Sequence, residues 1–161
     1  MKKIILCSLL VSVSALAQNK SICGDTVDRT LSNELEVGRT SKMNERSGCT
    51  ATLISNNCAI TAGHCIKHLD KVSFNVPNTI NSYPQASKEV DSYKVDKSFL
   101  KFKDNGDGGD WAVFKLDRNR VTNLYPGEVK GYLNVKTTGI ISKGQVVRLA
   151  GYGVDKKDPI R

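Results

Sequence analysis

From residue 50 onward the chain alternates short runs of apolar and β-branched residues with clusters of turn formers. Nowhere do apolar positions keep a helical period over a long stretch. This pattern predicts strands at Thr50–Ile54, Cys58–Thr61, Val72–Val76, Val90–Val95, Trp111–Leu116, Gly131–Val135 and Val146–Tyr152. The separators are Ser55-Asn56-Asn57, the stretches from Asn75 to Pro84 and from Asp104 to Gly109, Pro126-Gly127, and Ser142-Lys143-Gly144. Their residues set turn dihedrals or bond their own backbone. A short helical turn is expected from Gly63 to Leu69. Antiparallel strands this short must close or pack to bury one face, so the predicted fold class is all-β, a barrel or a sandwich.

The first twenty residues break the pattern. Lys2 and Lys3 precede an apolar run from Ile4 to Leu16, which ends in Ala15-Leu16-Ala17. The run is too short to cross a hydrocarbon core of about 30 Å, and an Ala-x-Ala end suits a signal peptidase. Residues 1–17 are therefore expected to be a cleaved signal peptide and the mature chain to be secreted or periplasmic. No second apolar stretch reaches membrane length, so a soluble product without a membrane partner is predicted. A length of 161 residues fits one domain or a piece of a larger protein, and 39% hydrophobic with 25% charged residues excludes a wholly disordered chain.

Net charge is +8, and loss of Lys2 and Lys3 takes the 24 basic residues to 22 against 16 acidic ones. That excess, with Lys94, Lys97, Lys101 and Lys103 around Phe99 and Phe102, raises the reading of a basic binding module for nucleic acid or an anionic surface. The lysines alternate with apolar residues as the solvated face of a strand does, and no nucleic-acid partner is predicted. Without the leader and its Cys7, four cysteines remain: Cys23, Cys49, Cys58 and Cys65. An even number in an oxidising compartment favours two disulfides, with all three pairings open. Cys58, His64, Cys65 and His68 have no spacing of a known zinc site, and no metal is predicted. Gly106-Asp107-Gly108-Gly109 reads as a loop, because its acidic residues miss the alternating pattern of a calcium loop.

The stretch Cys49-Thr50-Ala51-Thr52-Leu53-Ile54-Ser55, followed by Cys58-Ala59-Ile60-Thr61-Ala62-Gly63-His64-Cys65, resembles the chymotrypsin-like serine peptidases, whose general-base histidine sits in a Thr-Ala-Ala/Gly-His-Cys box. Small Ala62 and Gly63 let the imidazole leave the strand end and face a cleft. The family bridges the cysteine after this histidine to one sixteen residues upstream, and Cys49 and Cys65 have a separation of 16. The resemblance thus implies a Cys49–Cys65 disulfide and, more weakly, leaves Cys23 for Cys58. Gly109-Asp110-Trp111-Ala112-Val113-Phe114-Lys115-Leu116 is similar to the family's segment around its buried aspartate. The family separates histidine and aspartate by about 45 residues, and His64 and Asp110 are 46 apart. The implied roles are His64 as general base and acid, and Asp110 as the carboxylate that orients it.

The resemblance implies a double-barrel fold divided as 1–17 signal peptide, 18–39 N-terminal segment, 40–130 six-stranded antiparallel first barrel, and 131–161 linker with the first strand of a second barrel. A finer likeness, to the glutamyl-endopeptidase-like (V8-like) bacterial branch, rests on Ile22-Cys23-Gly24-Asp25-Thr26-Val27-Asp28-Arg29 and on Gly48-Cys49-Thr50. In that branch the processed N-terminus helps order the pocket, which would make Lys20-Ser21 an activation bond; alternatively Gln18 or Asn19 begins an ordinary secreted chain. The family's serine lies about 93 residues past its aspartate, beyond Arg161, and nothing here matches Gly-Asp-Ser-Gly-Gly. Ser142 lacks the flanking glycines. The expectation is a secreted serine endopeptidase acting on protein or peptide substrates, without a cofactor and monomeric if the fold is complete. As this polypeptide alone it should be inactive, being either part of an enzyme or a short non-catalytic relative that binds.

Overall fold

The computed structural model describes residues 30–152, apart from 47, 82, 137, 138, 140 and 141. The expected leader, the Asp28-Arg29 region and Cys23 lie outside the described residues. Within them, β1 (Val37–Ser41), β2 (Thr50–Leu53), β3 (Cys58–Thr61), β4 (Lys71–Ser73), β5 (Ser92–Asp104) and β6 (Asp110–Leu116) pair antiparallel. They close into a barrel in the order β1-β2-β3-β6-β5-β4. The predicted all-β class is met by the barrel alternative.

Alternation explains the closure. On β6, Ala112, Phe114 and Leu116 point inward, and Trp111 points to solvent. Phe114 and Leu116 meet Ala51, Leu53, Ala59, Val72, Phe74, Tyr93 and Val95 in one core, and Phe74 packs edge-on to Tyr93 with ring centroids 5.7 Å apart. Each large side chain removed from water there contributes about 1.5–3 kcal/mol.

Strand β1 has no apolar alternation, and it begins inside the stretch read as the N-terminal segment. All five of its residues are nevertheless buried. A Cβ on Gly38 would lie 2.5 Å from Val72 Cγ1 and 2.9 Å from the Phe74 ring, so the missing side chain makes room for the core. Thr40 Oγ1 accepts from the Cys49 amide at 2.9 Å, and Arg39 is covered from outside, donating to the Gln85 carbonyl at 2.6 Å.

Strand β5 outruns the predicted Val90–Val95. A bulge between Asp96 and Leu100 bends it, and beyond the bulge it forms a ribbon with β6 from Leu100↔Phe114 to Asp104↔Asp110. Lys94, Lys97, Lys101 and Lys103 are exposed along it. The predicted strands Gly131–Val135 and Val146–Tyr152 are corrected. Among the described residues neither joins a ladder, because the closed barrel offers no free edge. Each segment instead hydrogen-bonds to β2, Leu133 N–H to the Leu53 carbonyl at 2.9 Å and Tyr152 N–H to Thr50 Oγ1 at 2.7 Å, and Arg148 pairs with Glu34 at 2.7 Å. Pro126-Gly127, read as a turn, opens a short helix, α1 (Pro126–Lys130), whose Glu128 carboxylate accepts from the Tyr125 amide at 2.6 Å.

Candidate active site

The β3–β6 register sets the site. Thr61 pairs with Ala112, and continuing that antiparallel count by two residues brings Gly63 opposite Asp110. After Ala62 the chain leaves the strand into a 3₁₀ turn, Gly63–His68. Close approach fixes the residue at its start: a Cβ on Gly63 would lie 1.9 Å from the Lys103 carbonyl oxygen on β5 and 3.1 Å from Asp110 Oδ1. Only glycine fits this junction.

His64 follows, and both of its donors turn to one carboxylate. The His64 amide donates to Asp110 Oδ1 at 2.9 Å, and ring Nδ1 lies 2.6 Å from Asp110 Oδ2. The His64 side chain is 62% exposed and that of Asp110 27%, so the ring sits at the barrel rim with its far edge toward solvent. The His64 amide first, then its imidazole, with help from the Gly63 amide, hold the Asp110 carboxyl below its usual range. An ionised carboxylate on Nδ1 selects the tautomer whose Nε2 carries a lone pair.

The turn is pinned from the other side. Cys49 and Cys65 form a disulfide with Cα atoms 6.1 Å apart, and Thr61 Oγ1 donates to the Thr50 carbonyl at 2.7 Å. His64, Cys49 and Cys65 put donor atoms within 4.8 Å of one another, but both sulfurs are consumed by their bond and are unsuited to a metal. Cys58 forms no disulfide among the described residues; its expected partner Cys23 lies outside them. His68 is apart from the pair, with Nδ1 3.2 Å from Glu45 Oε2.

Gly106-Asp107-Gly108-Gly109 is the turn of the β5–β6 ribbon. Gly106 and Gly108 both have φ of 75°, and the Asn105 amide bonds the Gly109 carbonyl at 3.1 Å. Sequence reasoning missed two contributors to the site, the Lys103 carbonyl that excludes any side chain from position 63 and the Thr61 hydroxyl. A backbone atom carries no sequence signal, whereas Thr61 stands within the histidine box. Among the described residues, no hydroxyl is hydrogen-bonded to the His64 ring.

No curated protein sequence matches the chain. The family model described as Trypsin matches residues 28–159, a span that contains the barrel, the disulfide and the His64–Asp110 pair. The chain therefore belongs to the trypsin family of serine peptidases, which act on proteins and peptides.

Proposed function

We propose that this chain is the base-bearing part of a secreted serine endopeptidase of the V8-like branch. His64 is its general base and acid, and Asp110 its orienting carboxylate. The 2.6 Å approach of Nδ1 to Asp110 Oδ2 carries this reading. In peptide hydrolysis the serine hydroxyl attacks the scissile carbonyl while its proton passes to His64 Nε2. The imidazolium, stabilised by Asp110, then returns the proton to the leaving amine. The second half-reaction repeats the transfer with water in place of serine.

The hydroxyl, the amides that stabilise the oxyanion, and the specificity pocket belong to a second barrel. Arg39, Leu53 and Thr50 already hold the segments that lead toward it, since Tyr152 lies 6.0 Å from the Arg39 guanidinium. By itself this polypeptide is expected to hydrolyse nothing, and the endopeptidase to act as a secreted monomer. A fluorophosphonate probe should leave the purified chain unlabelled; specific labelling would overturn the assignment of the nucleophile elsewhere. Nitrogen-15 NMR should find the His64 proton on Nδ1, and the opposite tautomer would overturn the role of Asp110. Sequencing past codon 161 separates the remaining alternatives. A Gly-Asp-Ser-Gly-Gly frame supports the peptidase, and an immediate stop points to a non-catalytic homologue that binds.

A further inference from the structure

The outer face of β1 and β4 is polar and covered. The register aligns Arg39 with Ser73 and Ser41 with Lys71, and Ser73 in turn faces Ser92 on β5. The segment that carries Gln85 and Ser87 lies across this face and closes a pocket of about 40 Å³. Its charges do not balance. Arg39, Arg46 and Lys71 line it against one carboxylate, Glu45, and Glu45 is already engaged by His68 and Lys42.

Arg39 is only 8% exposed. One of its nitrogens donates to the Gln85 carbonyl, and among the described residues it forms no ion pair. A buried guanidinium without a counter-charge is costly, because desolvation is not repaid by attraction. Burial, with the neighbouring Arg46, accordingly pushes the Arg39 guanidinium below its usual value, opposed by Tyr152. Ser87 Oγ, on the same pocket, is buried with no hydrogen-bond partner among the described residues. N–H donors of Arg39 and a Ser87 hydroxyl that no described residue engages thus line one small space.

We propose that this pocket binds a small tetrahedral oxyanion, phosphate or sulfate, as the counter-charge to Arg39. One water needs roughly 10–15 Å³ of such space, so the pocket admits a few oxygens and no nucleotide or peptide. A guanidinium fork with hydroxyl donors suits these oxygens. The site is separate from the His64–Asp110 pair and does not depend on the reading of that pair.

Thermal unfolding of the full chain tests it, with phosphate, sulfate, acetate or chloride titrated at constant ionic strength. Phosphate and sulfate should raise Tm along a saturating curve, unlike the general effect of excluded salts, which keeps growing with concentration. Arg46→Ala should weaken the apparent affinity by roughly tenfold or more, as loss of a charge-assisted bond does. Ser87→Ala should weaken it less. Arg39→Gln should abolish it; because that variant can fail to fold, the exposed Arg46 carries the decision. Equal shifts with chloride or acetate, or a response unchanged in both Arg46→Ala and Ser87→Ala, would overturn the proposal.

Discussion

Replacing Gly63 with alanine asks whether the barrel wall itself positions the histidine. The added Cβ would lie 1.9 Å from the Lys103 carbonyl oxygen and 2.8 Å from its carbon. An unstrained C···O contact is about 3.3 Å or more, so turn and ribbon must part by about 1.4 Å. The obstructing oxygen is backbone, fixed where Lys103 pairs with Trp111, and cannot rotate away. Forcing extra volume into such a contact costs about 2–3 kcal/mol. With a urea slope of about 1–2 kcal/mol/M, the unfolding midpoint should fall by about 1–3 M. Trp111, the one tryptophan of the sequence, adjoins Asp110 and reports the change by fluorescence alongside circular dichroism. Gly108→Ala is the comparator: its φ is 75° with open space around it, so it bears only left-handed strain of about 1–2 kcal/mol. The His64 ring signals should move in Gly63→Ala and stay put in Gly108→Ala. A Gly63→Ala protein within about 0.5 kcal/mol of the parent, with unmoved ring signals, would refute the argument.

Asp110, whose folded carboxyl titrates below its unfolded value, stabilises the fold above the unfolded value near about 3.9 and loses that contribution as pH falls through the folded one. Asp110→Asn should therefore flatten stability against pH in that acid window, and identical acid limbs in both proteins would count against the contact. Replacing Cys49 and Cys65 together by serine frees a loop with a sequence separation of 16 and should cost about 3 kcal/mol in urea unfolding; no loss would mean that the loop is held by other bonds. Lys130 and Asp91 form an ion pair whose side chains are 7% and 9% exposed. Lys130→Met should cost about 3–5 kcal/mol and Lys130→Met with Asp91→Leu much less; additive losses in a double-mutant cycle would show that the pair is not coupled.

Much of the barrel was legible because burial there follows a two-residue period. Cys58–Thr61 is predicted and found with the same limits, and Trp111–Leu116 gains only Asp110. Strand β1 was hidden because it is wrapped on both sides: Gly38 gives up its place to Phe74, and Arg39 is roofed by the Gln85 segment. The outer half of β5 was hidden for the opposite reason, since beyond Leu100, which still packs against the core, the ribbon has no buried face to imprint on its lysines. Val146–Tyr152 has the composition of a strand and no open edge to join. The histidine box and the Asp110 segment were readable because their residue types are dictated by the chemistry and by close approach. The distance between them, 46 residues in sequence against 2.6 Å in space, is a property of topology.

The barrel's seam has a temporal consequence. Strand β3 finds its second neighbour only in β6, so the cylinder stays open until the stretch ending at Leu116 has been synthesised. Asp110 begins that final stave. Sealing the cylinder and delivering the carboxylate to the imidazole are one event, and a chain cut short before residue 110 would hold neither.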